Sequence, residues 1–259
     1  MNNQQFNYGN FIGKAKLYSK YRPNYSANYY QFLESNLNVN SNSIVADIGA
    51  GTGIHTKGLS RIAKKIYAVE PNPQMLNECM FQLEKYSNVI GINSSAEAIE
   101  LPDDSVDYIT VAQAFHLFDR KKCLSEFYRI IRPNGLLILV WNSKEQNDLF
   151  FENEKVIKKY CPLYIRTVHA RQFLYESYKD IFIPNTYNYN YFFEDSTEYI
   201  NKETFIMRTM SASYAITREN SEYYSMISEL GKVFDNFSRN QLVEIPQSTV
   251  VFSGKLKIY

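Results

Sequence analysis

Glycine is scarce in this chain, ten among 259 residues. Net charge is nearly absent as well, since 28 basic residues against 27 acidic ones leave +1. So balanced a chain offers no global field for a nucleic-acid backbone or an anionic membrane. Cysteine is limited to Cys79, Cys123 and Cys161, which form no CxxC pair. Two of them, Cys79 and Cys123, fall on apolar helical faces, which suits reduced core thiols and a cytoplasmic location. The acids Asp103 and Asp104 sit in a turn without metal-ligand spacing, so no metal is expected. No apolar run approaches the 18 or so residues of a membrane span. The polar, Asn/Gln-rich opening, Met1 to Gly9, does not read as a secretory signal. What the chain has in excess is aromatic: 22 Tyr and 17 Phe, enough to wall a pocket. Its length admits one α/β domain with additions or two small domains.

The few glycines are not spread evenly. Three fall within five residues, at 49, 51 and 53, directly after the apolar run Ile44 to Ile48. The run reads as a buried parallel strand, and Ile54 to Lys65 reads as a helix. Glycine at alternate positions permits a sharp turn and lets backbone come against a ligand with no Cβ between. A strand, such a turn and a helix N-terminus make a nucleotide-type cradle. Asp47 stands two residues before the first glycine, where a dinucleotide loop keeps an apolar residue. An anion there repels a pyrophosphate and welcomes an ammonium group, which points to S-adenosylmethionine and away from NAD.

Before this loop, Pro23 divides an apolar stretch into two expected helices. The pair is either a helical hairpin packed on the sheet or a lid, with Arg22 meeting a carboxylate and Tyr18 or Tyr21 lining a pocket. After the loop, Ile66 to Glu70 reads as a second strand, with Glu70 about 20 residues on, where an acid accepts the ribose hydroxyls of an adenosine. Pro71-Asn72-Pro73 opens a helix with an apolar stripe. Val89 to Asn93 is a third strand, followed by Ser95 and Glu97, each either an adenine partner or a plain helix cap. Asp107 to Ala112 is a fourth strand with Gln113, Phe115 and His116 at its C-terminal end, where catalytic groups of α/β proteins collect. His116 is a candidate base or orienting residue. Asp119 caps the next helix. Arg132 to Gly135 reads as a turn, and Leu136 to Trp141 as a fifth strand. Helices are expected over Leu149 to Tyr160, Thr197 to Arg208 and Glu219 to Phe237. Strands are expected at Tyr187 to Tyr191 and, as an antiparallel edge, at Thr249 to Ile258. The whole reads as a single domain over 1–259: a lid at 10–40, a core at 41–142, a cap at 143–215 and a C-terminal helix and strand at 216–259.

Together these pieces resemble the class I S-adenosylmethionine-dependent methyltransferases, in the small-molecule branch related to ubiquinone/menaquinone-type enzymes. The resemblance rests on Tyr21-Arg22-Pro23, Asp47-x-Gly49-x-Gly51-Thr52-Gly53, Ala68 to Asn72, Ser95-Ala96-Glu97, Gln113 to His116, and Arg132-Pro133-x-Gly135 running into Val140-Trp141-Asn142. It implies a Rossmann-like, doubly wound, seven-stranded and mostly parallel sheet with an antiparallel last strand. It also implies Gly49, Gly51 and Gly53 on the methionine and ribose, Glu70 on the ribose, Ala96 and Glu97 beside the adenine, and Gln113 near the methionyl end. Ala50, Pro71, Ser95 and Arg22 complete the candidate cofactor set. The segment Arg208 to Tyr214 resembles one that closes over the acceptor, which makes Ser211 and Tyr214 pocket candidates with Tyr18, Tyr21, Phe115 and Trp141. Leu117 stands where many relatives carry Trp, and Asn134 where a second Gly is common.

The implied activity is transfer of the sulfonium methyl to an O, N or C nucleophile of a small molecule, leaving S-adenosylhomocysteine. Neither nucleic acid nor membrane insertion is expected. The alternatives are a non-catalytic S-adenosylmethionine-binding protein, an RNA or protein methyltransferase and, disfavoured by Asp47, a dehydrogenase.

Overall fold

The computed structural model describes residues 11, 13–165, 177–183 and 190–257. A helical pair comes first, α1 (Ala15–Tyr21) and α2 (Ala27–Leu37), broken at Pro23 as expected. Ser26 caps α2 by accepting from the Tyr29 amide, and Asn38 ends it in the left-handed conformation. Strands and helices then alternate: β1 (Ile44–Ile48), α3 (Ile54–Leu59), β2 (Lys65–Val69), α4 (Pro73–Gln82), β3 (Val89–Ile92), β4 (Val106–Ala112), α5 (Arg120–Ile130) and β5 (Ile131–Lys144). The helix expected through Lys65 stops at Leu59, because Lys65 opens β2. Asn72 and Asp119 cap α4 and α5 through their side chains, each taking backbone N–H groups of its helix's first turn. The 3₁₀ turn Phe115–Leu117 follows β4.

After β5 come α6 (Asp148–Tyr160), β6 (Asn190–Asp195), β7 (Glu198–Ile200), α7 (Lys202–Met210), α8 (Tyr223–Phe237), β8 (Val243–Ile245) and β9 (Gln247–Gly254). Seven strands form one sheet in the order β3-β2-β1-β4-β5-β9-β6, parallel from β3 to β5. This is the doubly wound, seven-stranded sheet that the sequence implied. The last strand is antiparallel to β5 and β6 and lies one place in from the margin, which β6 occupies. Of the strand expected at Tyr187 to Tyr191, residues 187–189 lie outside the described residues.

Two expectations need correction. Arg132 to Gly135 is not a free turn between helix and strand, since β5 begins at Ile131 and pairs it with Val106. The register then jumps to Tyr108–Leu136, so these residues form an irregularity within the strand. Arg132 fixes it through Asp107, 2.7 Å away. Thr197 to Arg208 is also not one helix. Its start is β7, which pairs with β8 in a separate two-stranded sheet, and the helix begins only at Lys202, capped by Asn201.

The pleat assigns each strand residue to one of two apolar layers. Ala46, Ile48, Leu137, Leu139 and Trp141 face α5, whereas Val45, Ile138 and Val140 face the side of α2 and α3. A third apolar cluster joins α6, α7, α8 and the small sheet, so the cap region carries a core of its own. All three cysteines are free and buried. Among the described residues no helix is long and apolar enough to cross a membrane.

Candidate functional site

Strand order reverses between β1 and β4, and ligands of open α/β sheets bind at the carboxyl edge of such a point. The glycine loop lies there. Gly49, Gly51 and Gly53 have φ of +73°, +59° and +84°, conformations that side chains rarely adopt. Their surroundings differ. A Cβ on Gly49 would lie 2.7 Å from Ala114 Cβ, and one on Gly53 2.8 Å from the Cys79 sulfur. A Cβ on Gly51 would meet only the Met75 methyl, at 3.7 Å. Two of the glycines therefore serve packing, and Gly51 alone faces open space. Beside them Ala50 is buried, and the Thr52 hydroxyl is buried with no hydrogen-bond partner among the described residues.

Glu70 stands at the end of β2 against this loop. One carboxylate oxygen accepts from Gly51 N–H at 3.0 Å and the other from Asn72 N–H at 2.9 Å. Burial raises the carboxyl's pKa, and the two amide bonds only partly oppose it. Pro71 is partly buried, and its carbonyl accepts from Asn93. At the end of β3, Ala96 is buried, the Ser95 hydroxyl accepts from Glu97 N–H, and Glu97 Oε1 accepts from Asp119 N–H at 2.9 Å.

Asp47 does not face the loop's open side. It is fully buried, turned by the pleat toward α3 along with Val45. His55 Nδ1 lies 2.9 Å from Oδ1, Thr110 Oγ1 donates to the same oxygen at 3.0 Å, and Thr56 Oγ1 donates to Oδ2 at 2.6 Å. Burial opposes its charge, but the imidazole and the three hydrogen bonds outweigh that and hold the carboxyl below the usual carboxylate range. The motif assigns this charge to a ligand ammonium, whereas in the structure it faces three side chains. His55 carries only a spacing signal in the sequence, as the second residue of a helix and eight positions after a strand aspartate.

Gln113 follows β4 with a left-handed φ of +61°, a costly conformation of the kind that gathers at functional sites. Its amide nitrogen donates to Asn142 O at 3.1 Å, which ties β4's end to β5. His116 is exposed on the 3₁₀ turn at this rim. Phe115 and Trp141 are pocket candidates that the structure places in the core. Phe115 packs against Phe118, Phe127 and Tyr178, and Trp141 stacks on Tyr178 at 5.0 Å. The pleat sends Trp141 to the α5 layer with Leu137 and Leu139. Ser211 is also buried, its hydroxyl spent on Arg208 O at the end of α7. Tyr21 is buried with its hydroxyl on Glu203. The Arg22 guanidinium lies 4.8 Å over the Tyr18 ring. Burial raises the Tyr214 phenol's pKa, and the Arg22 charge partly opposes that rise. Arg22 Nε is buried without a hydrogen-bond partner among the described residues. Among those residues no cluster of three His, Cys, Asp or Glu could hold a metal ion.

A doubly wound sheet of this order, with its last strand antiparallel, has the Rossmann-like fold of solved methyltransferases. Comparison with known proteins agrees. Residues 46–139 match the methyltransferase domain family. A methyltransferase-like protein of Schizosaccharomyces pombe is 27% identical over 244 residues, 92% of each chain. A ubiquinone/menaquinone biosynthesis C-methyltransferase of Marinomonas is 31% identical over 118 residues, 43% of this chain and 47% of that one. Matches to other curated relatives likewise cover about half of those proteins, 57% of a second Schizosaccharomyces pombe methyltransferase and 46% of one from Dictyostelium discoideum. Among solved structures, the YcgJ protein of Bacillus subtilis superposes with a TM-score of 0.58 at 18% identity, over 90% of this chain and all of that one. Residues 46–139 thus resemble a methyltransferase domain, and ubiquinone/menaquinone-type enzymes are among the proteins to which this chain is similar.

Proposed function

We propose that this protein is an S-adenosylmethionine-dependent methyltransferase with a small-molecule acceptor. The observation that carries the reading is the cradle at Gly51, open on one side and braced from behind by Glu70. When bound, the cofactor supplies a methyl on a sulfonium, whose C–S bond breaks toward sulfur as an O, N or C nucleophile bonds the methyl. The chain's own residues bind, orient and exclude water. The Glu70 carboxylate accepts from the ribose hydroxyls, Gly51 admits the ligand against the backbone, and Ser95, Ala96 and Glu97 border the adenine. The unpartnered Nε of Arg22 is a donor for the methionyl carboxylate, beside Gln113. Tyr18 lies beneath the Arg22 guanidinium, and Tyr18 and Tyr214 are taken as the acceptor side. The lid, core and cap divide the work accordingly within one domain, and three free thiols suit the cytoplasm.

Alignment can supply effective molarities of about 10⁵–10⁸ M, against roughly 10²–10⁴-fold from a general base. His116→Ala should therefore leave cofactor affinity unchanged and lower turnover by no more than about 10²–10⁴-fold. Titration calorimetry with S-adenosylhomocysteine tests the site itself. Wild type should bind in about the micromolar range, and Glu70→Ala should weaken binding by at least about tenfold, or 1.4 kcal/mol. A folded wild type that binds neither the cofactor nor its product would sink the reading.

A further inference from the structure

His55 belongs to no step above, yet it is a buried polar residue beside the glycine loop with partners on two sides. It is the second residue of α3, two after Gly53, and is nearly inaccessible to solvent. Its Nδ1 faces Asp47 Oδ1 at 2.9 Å, and its Nε2 faces the Tyr29 hydroxyl, also at 2.9 Å. An ionised carboxylate only accepts, so Nδ1 carries the hydrogen. When the ring is neutral, Nε2 keeps a lone pair to which the Tyr29 hydroxyl donates. One imidazole thus joins the aspartate of β1 to a tyrosine of α2.

The surroundings make this a joint between two elements. The Tyr25 ring lies edge-on to His55 at 5.2 Å and the Tyr30 ring stacks at 6.1 Å. The Tyr30 hydroxyl donates to the His55 carbonyl at 3.3 Å. Gly58 lets this happen, because a Cβ there would lie 1.8 Å from the Tyr30 ring. Every one of these tyrosines lies in α2 or just before it, on the stretch that also carries Arg22. On the other side, α3 continues directly from the cradle.

We infer that Tyr29 and His55 are positioning residues, which dock the N-terminal helical pair on the cofactor loop and so set the affinity for the cofactor's adenosyl and methionyl ends. The inference rests on the cofactor reading above. Neither residue touches the ligand. Asp47 fixes the ring, the ring fixes Tyr29, and α2 thereby holds the preceding segment that carries Arg22.

The test combines imidazole spectra with calorimetry. In ¹⁵N-labelled wild type without ligand, His55 should show a slowly exchanging Nδ1–H and a non-protonated Nε2. An Nε2–H tautomer, or rapid exchange, would overturn the hydrogen-bonded chain whether or not the protein binds S-adenosylhomocysteine. Coupling between sites is commonly worth 5–150-fold, so Tyr29→Phe, which removes one oxygen, should weaken S-adenosylhomocysteine binding about fivefold to tenfold. His55→Asn keeps a donor toward Asp47 and should match Tyr29→Phe, while His55→Leu should be worse than both. Leu33→Ala, which loosens the same helix by packing alone, is the control. Equal weakening by Leu33→Ala, or wild-type affinity in Tyr29→Phe, would show that the chain merely stabilises the fold. A wild type with the expected spectrum but no affinity would instead fault the cofactor reading.

Discussion

Gly51→Ala should leave the protein folded and nearly abolish cofactor binding, whereas Gly49→Ala should do its damage to the fold. At Gly51 the added methyl meets no protein atom closer than the Met75 methyl at 3.7 Å. What it costs the free protein is the left-handed conformation, φ +59°, about 1–2 kcal/mol for a residue with a Cβ. For a chain of this size that lowers the unfolding midpoint by a few degrees, at roughly 2–4 °C per kcal/mol. The methyl projects into the cradle, the space that a ligand against the backbone requires. Affinity for S-adenosylhomocysteine should fall at least about 100-fold, or 2.8 kcal/mol. At Gly49 the same methyl lies 2.7 Å from Ala114 Cβ and 3.2 Å from Phe118 Cζ, inside the α5 layer. Paired calorimetry, scanning for stability and titrating for binding, separates the two. Wild-type affinity in a folded Gly51→Ala variant would remove the cradle from the site.

This contrast marks what the sequence could and could not disclose. The glycine triplet, the helix caps at Asn72 and Asp119 and the break at Pro23 are local devices, and each acts within a few residues of itself. They were legible because chain order alone specifies them. Which of three glycines faces a ligand depends on Ala114, Phe118 and Cys79, which distant parts of the chain bring in. The same limit moved Trp141 and Phe115 from pocket to core, since an aromatic after a strand reads equally as wall or filling until the pleat is known. The irregularity at Arg132 to Gly135 escaped because its turn residues are consistent with a bulge too. Beyond β5, periodicity shows α6 and α8 but not β7 and β8, three-residue strands too short to show alternation. His55 left only a spacing signal, a histidine at the start of a helix that follows a strand aspartate. That spacing placed Nδ1 on Asp47, and nothing local announced Tyr29 on the other side.

The largest loss of stability should come from Asp47→Ala. Three donors now end on this carboxylate, from His55, Thr56 and Thr110, all of them buried. Removing the acceptor strands them without solvent, and breaking a buried charged network in this way costs about 3–5 kcal/mol. Against a total stability of about 5–15 kcal/mol that is a large fraction, from about a fifth upward. Asp47→Asn keeps the shape and one acceptor oxygen but turns an amide toward a donor, so it should fall between the two. Acid tells them apart further. The Asp47 carboxyl is held below its ordinary value of 3.8, so its contribution is complete above that value and is lost as the pH falls through the lower one. Glu70 is raised above 4.5, so its folded state favours the proton, and stability from that group declines as the pH rises through the raised value. Denaturant unfolding at pH 7 and pH 3 should therefore show wild type and Asp47→Asn converging in acid, with the gap opening from the Asp47 side alone. A gap of constant size would mean that the carboxylate's charge does not hold the loop's foundation, and that its three hydrogen bonds would serve as well from a neutral group.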